Sequence, residues 1–244
     1  MYCRSWIRRT LRKTKAAGTQ GDPRVSKADT LKRIQDTGII AAVRVYTPED
    51  AVFAAVTIAE GGIPVVEITL TVPEANAVIT RLVKERPDIL VGAGGVTDAG
   101  LAQQCLEAGA NFLTSDGLHT EVVHFAAKHE IIVFPGALTP TEVITAWESG
   151  ADLVKVVPCV QIGGEAYLGS LHSMFPRIPL IAAGGVSQMN AANFILAGAA
   201  ALGVGRELIP PKAIRLRESD RVRELARRFL GFVKTGRSQL NAAP

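Results

Sequence analysis

The sequence predicts an α/β fold: a (β/α)₈ TIM barrel in a single domain, with a short helix ahead of the first strand. Three observations support this. First, one junction recurs along the chain. "EGGIPVVEI" at 60–68, "EAGANFLTS" at 107–115, "ESGADLVKV" at 148–156 and "LAGAAALGV" at 196–204 each join a helix tail, a glycine suited to a left-handed cap and a short β-rich run. Second, the strand starts fall about 19 to 26 residues apart, the length of one strand–helix unit. Third, the alternative doubly wound sheet would place G-x-G-x-x-G after its first strand, and here that strand ends in "VRVYTPED" with no glycine.

The elements follow in order. "SKADTLKRIQD" at 26–36 is a helix placed to plug the barrel bottom. The expected strands are 39–45, 65–70, 90–96, 112–116, 131–136, 153–158, 179–184 and 201–205, all rich in Val, Ile, Leu and Ala. Strands alternating with helices are parallel, because a parallel neighbour needs a crossover. Helices are expected from Thr47 ("TPEDAVFAAVTIAE"), Val72 ("VPEANAVITRLVKE") and Thr139 ("TPTEVITAWE"). In each, proline near the start and acids in the first turn mark a helix N-terminus. The barrel domain is expected over 26–236, with 1–25 a basic N-terminal extension outside the fold and 237–244 a C-terminal tail.

Composition narrows the function classes. The chain has 244 residues, 48% hydrophobic and 20% charged, with 23 glycines, as suits a packed α/β enzyme. No apolar run reaches the roughly 18 residues that span a bilayer, so a soluble protein with no membrane partner is expected. The net charge of +4 resides in residues 1–20, which are rich in Lys and Arg and free of acids. That stretch suits an unstructured extension, a transit peptide or a nucleic-acid arm; the extension is preferred, and no nucleic-acid partner is expected of the barrel. Cys3, Cys105 and Cys159 form no C-x-x-C pair, which points to a reducing cytoplasm without disulfides or a zinc site.

Catalytic groups in such a barrel sit at the C-terminal strand ends. The polar residues there are Arg44, Glu67, Thr69, Ser115, Asp116 and Lys155, and the pairs Gly94–Gly95 and Gly184–Gly185 end strands three and seven. By strand alternation Glu67, Thr69 and Thr71 share one face, as do Leu153, Lys155 and Val157. If both faces turn inward, Lys155 and Glu67 meet in the lumen. A lysine within "LVKVVPC" is out of place unless paired or employed. Apolar surroundings disfavour its charged form and free an amine that attacks carbonyls to give a Schiff base. Glu67 is the carboxylate placed to shuttle protons, and neither cofactor nor metal is needed. His119, His124 and His129 step by five around a helix and do not converge on a metal; Cys159 is expected to be a buried bystander.

With these residues the chain resembles the 2-keto-3-deoxy-6-phosphogluconate and 4-hydroxy-2-oxoglutarate aldolases, over about residues 27 to 233. The resemblance rests on "VEITLTVPEA" at 66–75, "GAGGVTD" at 92–98, "FPGALTPTE" at 134–142, "KVVP" at 155–158 and "AAGGV" at 182–186. It implies a class I carbon–carbon lyase of Entner–Doudoroff carbohydrate metabolism that releases pyruvate from a 2-keto-4-hydroxy acid. It also implies a homotrimer, Lys155 as the Schiff-base lysine, Glu67 as the acid–base and Arg44 on the substrate carboxylate. Gly184, Gly185 and Arg206 resemble a phosphate cradle. Thr71 is ordinary for the family. Departures stand at Gly95 and Ala183 (threonine in the family), Asp116 (proline), Val157 (phenylalanine) and Arg206 (serine). All border the expected site, so substrate recognition is expected to have drifted. Two other readings compete: a different phosphate-binding barrel enzyme, such as a thiamine-phosphate synthase or an isomerase, and a catalytically retired ligand-binding barrel.

Overall fold

The computed structural model describes residues 25–242. The strands are β1 (Ile39–Val43), β2 (Val65–Thr69), β3 (Leu90–Gly94), β4 (Phe112–Thr114), β5 (Ile132–Phe134), β6 (Gly136–Ala137), β7 (Val154–Val156), β8 (Leu180–Ala183) and β9 (Ala199–Val204). All neighbours pair parallel, in the order β5-β4-β3-β2-β1-β9-β8-β7-β6. The two ends of this order, β5 and β6, are consecutive in the chain and separated only by Pro135. Proline offers no N–H to a ladder, yet its carbonyl accepts from the Lys155 N–H at 2.9 Å. One barrel strand thus pairs with β4 by its first half and with β7 by its second, and the eight-stranded barrel closes.

The helices are α1 (Lys27–Thr37), α2 (Pro48–Glu60), α3 (Ala75–Glu85), α4 (Ala99–Glu107), α5 (Thr120–Lys128), α6 (Pro140–Glu148), α7 (Gly164–Met174), α8 (Ala191–Leu196), α9 (Pro211–Arg215) and α10 (Ser219–Ala242). Thr47 and Thr139 cap α2 and α6 through their hydroxyls, and Glu142 completes a capping box at the second. The start expected at Val72 moves. Val72 donates to the Thr69 carbonyl in a turn and is buried there, so α3 begins only at Ala75, after Glu74 in a left-handed conformation. Gly62, Gly109, Gly150 and Gly198 of the recurring junction all have positive φ, which is why glycine recurs there.

Two apolar layers hold the barrel. The larger lies between strands and helices. The smaller fills the lumen with Ile40, Val65, Leu90, Phe112, Ile132, Phe134, Leu153, Ile181 and Ala201, and Ile34 of α1 closes it from below, with Val25 and Leu31 beside it. So α1 is the plug expected of it. Two boundaries shift. Val25 donates to Asn111 Oδ1 at 3.2 Å and packs on the lumen core, so the fold begins before residue 26. The expected tail is helical through Ala242, and Arg237 there donates to the Asp36 carbonyl at 2.7 Å. The basic stretch 1–24 lies outside the described residues. Among the described residues, no helix is long and apolar enough to cross a membrane.

Lumen packing sets a stability test. A methyl group at Gly92 would lie 2.2 Å from the Phe112 ring, which is fully buried and stacked on Phe134. Gly92→Ala should therefore lose roughly 1–3 kcal/mol in urea unfolding by overpacking. Gly231→Ala, within α10 and with nothing within 4 Å of the new methyl, should gain roughly 0.5–1 kcal/mol. Equal effects at the two sites would contradict this packing.

Candidate active site

Strand alternation delivers the polar groups. On β2, Val65 and Glu67 face the lumen while Ile68 joins the outer layer; along β7, Lys155 and the preceding Leu153 face in while Val154 and Val156 face out. Lys155 is 5% exposed and Glu67 6%. Both open into one cavity of about 1150 Å³ at the C-terminal ends of the strands. Glycine makes the room: a methyl group at Gly94 would lie 2.0 Å from Glu67 Oε1, so only a bare backbone lets that carboxylate lean over β3.

The partner of Lys155 is not the one expected. Its Nζ donates to Asp116 Oδ1 at 2.8 Å, and Arg44 reaches the other oxygen of the same carboxylate at 3.4 Å. Glu67 stands within electrostatic range of Lys155 but, among the described residues, shares no ion pair with it. The lysine expected to face Glu67 across the lumen is thus paired with a carboxylate at the barrel mouth. Sequence alternation could have placed Asp116 on the inward face, since Phe112, Thr114 and Asp116 share the face of strand four whose Phe112 fills the lumen.

The two carboxyl groups are driven in opposite directions. Burial raises Glu67 above the ordinary glutamate value, and the nearby Lys155 ammonium only partly offsets that. Burial also pushes Asp116 upward, but Lys155 and Arg44 outweigh it and hold the group below the ordinary aspartate value. A site with one carboxyl raised by burial and another held as an anion by two cations separates proton transfer from charge pairing.

Eight of the nine expected site residues border this cavity: Lys155, Glu67, Arg44, Thr71, Asp116, Gly184, Gly185 and Arg206. Thr71 is braced by a 2.9 Å hydrogen bond to Thr69, whose hydroxyl also donates to the Val43 carbonyl. Gly95 is not among the lining residues; its φ is +78°, and a side chain there would enter open space. Sequence reading missed Tyr46, Ser187, Lys212 and Arg215 on the wall. The last two sit on α9, the short extra helix after the final strand, whose "PPKAIR" start was a readable signal. Cys159 is buried with its thiol pushed up to about 11 by burial, and it does not line the cavity. Among the described residues, no group of three or more His, Cys, Asp or Glu is placed to hold a metal ion.

Comparison with known proteins gives consistent matches. A model of the KDPG and KHG aldolase family matches residues 31–225. The 2-dehydro-3-deoxy-phosphogluconate aldolase of Pseudomonas aeruginosa is 32% identical over 193 residues, covering 79% of this chain and 86% of that one. The 2-dehydro-3-deoxy-6-phosphogalactonate aldolase of Escherichia coli is 31% identical over 201 residues, covering 82% and 94%. The KDPG aldolase of Legionella pneumophila, solved with pyruvate captured as a covalent carbinolamine, superposes with a TM-score of 0.76 at 28% identity, covering 81% and 96%.

The opposed carboxyl shifts predict opposed pH dependences of stability. The folded protein keeps the Glu67 proton at a pH where the unfolded chain has released it, so Glu67 costs stability as pH rises past the ordinary glutamate range. Asp116 does the reverse: its contribution is present above the ordinary aspartate range and is lost as pH falls through its lowered value. Glu67→Gln should thus raise the melting temperature at pH 8 and have little effect at pH 4. Asp116→Asn should lower it at pH 8, with the loss shrinking on acidification. Parallel pH profiles for the two variants would contradict the assignment.

Proposed function

The chain belongs to the KDPG and KHG aldolase family, and on that premise we propose that it is a class I aldolase cleaving a 2-keto-4-hydroxy acid to pyruvate and an aldehyde through a Schiff base on Lys155. The observation that supports this most is a lysine buried in mid-strand at the base of a large open cavity, with a raised carboxyl in the same lumen. A buried charge of this kind is a poor stabiliser and a good reactive group.

Each residue then has a role. Lys155 loses a proton and its nitrogen attacks the keto carbon; loss of water gives the iminium, which draws electrons from the neighbouring carbon–carbon bond. Glu67 moves the protons: it delivers one to the departing hydroxyl and takes one from the substrate's C4 hydroxyl as the bond breaks. Its raised value suits both duties. Arg44 receives the substrate carboxylate, with Thr71 beside it. The far end of the substrate meets the Gly184–Gly185 backbone and the cations Arg206, Lys212 and Arg215. Three cations against Glu207 and against Asp50, which Arg217 already pairs at 2.9 Å, favour a phosphorylated substrate such as 2-keto-3-deoxy-6-phosphogluconate over 4-hydroxy-2-oxoglutarate. A homotrimer is part of the same proposal, measurable by sedimentation.

A retro-aldol assay coupled to pyruvate detection tests the chemistry. Lys155→Met should abolish cleavage, and Glu67→Gln should lower kcat by roughly 10²–10⁴ with the fold intact. Activity of Glu67→Gln within a few-fold of wild type would remove the acid–base role.

Arg206→Ser tests the far end separately. It should reduce the preference for the phosphorylated substrate roughly ten-fold through kcat/KM, the value of one charge-assisted contact. An unchanged ratio would take Arg206 out of recognition.

A further inference from the structure

Asp116 occupies the place that a substrate carboxylate needs. A 2-keto acid bonded to Lys155 carries its carboxylate one bond from the reacting carbon, within reach of Arg44. In the present arrangement a carboxylate already lies there: Asp116, with one oxygen 2.8 Å from Lys155 Nζ and the other 3.4 Å from Arg44.

We infer that Asp116 is a built-in carboxylate that sets which carbonyl compounds reach Lys155, admitting neutral aldehydes and ketones as well as 2-keto acids, and weakening the hold on the latter. The inference rests on the Schiff-base reading of Lys155.

Three features support it. The first is charge balance. Lys155 and Arg44 supply two positive charges, and Glu67 and Asp116 are the carboxyl groups beside them. A second carboxylate entering between the cations would face Asp116 at close range, and like charges at that distance repel strongly. A neutral carbonyl meets no such repulsion and leaves the Asp116 contacts in place. The two cations also hold Asp116 below the ordinary aspartate value, so it is an anion at neutral pH.

The second is that the backbone of Asp116 is pinned. A methyl group at Gly136 would lie 2.3 Å from the Asp116 carbonyl carbon, and Ser115 donates to the Gly117 carbonyl at 2.6 Å across the same turn. Movement of the loop toward β6 is blocked by that contact.

The third is that the side chain is free where the backbone is not. It is 58% exposed, against 6% for its Lys155 partner. A keto acid therefore enters by turning the Asp116 side chain out to solvent, which forfeits the ion pair with the buried lysine. That loss falls on keto acids alone, since a neutral carbonyl does not compete for Arg44.

Pyruvate and acetone form a matched pair, differing by a carboxylate in place of a methyl group. With either, the ammonium and the carbonyl give a protonated iminium and one water, and hydride from cyanoborohydride then fixes the product as a secondary amine. Labelling rates of the full chain are measured by mass spectrometry at limiting concentrations of each. Asp116→Asn keeps the size and one acceptor oxygen while removing the charge; Asp116→Ala removes the contact altogether.

The expected result is a pyruvate-to-acetone ratio that rises about ten-fold in both variants, chiefly through faster pyruvate labelling. A general change in the reactivity of the lysine would move both rates together and leave the ratio alone. An unchanged ratio overturns the inference. So does slower pyruvate labelling in both variants, which would make Asp116 the proton acceptor of Lys155. Absence of label in the wild-type chain with either compound would instead overturn the Schiff-base reading, and this inference with it.

Discussion

Everything at this barrel mouth depends on one ion pair, between Lys155 and Asp116. A closed parallel barrel buries its strands on both faces, and its lumen here is packed with Ile, Leu, Val and Phe. An ammonium in that setting is tolerable only if a charge answers it. Asp116 answers it from the exposed end, which ties the buried lysine to the solvent-facing rim and to Arg44. Glu67 is left without that duty, and burial raises its affinity for a proton instead of fixing it as a counter-ion. The division of labour between two carboxyl groups follows from their neighbours: burial dominates at Glu67 and raises it, while Lys155 and Arg44 outweigh burial at Asp116 and lower it.

The scaffold makes this division possible through absent side chains. Gly92 admits the Phe112 ring and Gly94 admits the Glu67 carboxylate, so the two glycines of β3 make room for both the lumen packing and the cavity carboxylate. Across the barrel, Pro135 interrupts one strand so that it can turn from β4 to β7, and its carbonyl anchors the Lys155 backbone. Lys155 is thus held at the seam where the barrel closes, and the plug helix α1 seals the opposite end.

Much of this was legible in the residues. The recurring helix–glycine–strand junction specified the eight-beat alternation, because glycine is what a positive φ requires at Gly62, Gly109, Gly150 and Gly198. Period-two alternation placed Glu67 and Lys155 in the lumen. What it could not supply was partnership. Whether Lys155 meets Glu67 or Asp116 depends on how far strands two and four lie from strand six around a closed circle, and a linear pattern carries no such distance. The α3 start failed for a related reason: Pro73 marked a helix, but burying Val72 first required a turn. Lys212 and Arg215 were missed because α9 is too short for a period to emerge.

Peptide mapping after pyruvate and borohydride treatment tests the central claim most directly, because it asks which nitrogen forms the bond. The account predicts a single reduced pyruvyl group per chain, on the peptide containing Lys155, and none in Lys155→Met. A label on any other lysine, or an equal label in Lys155→Met, would contradict it.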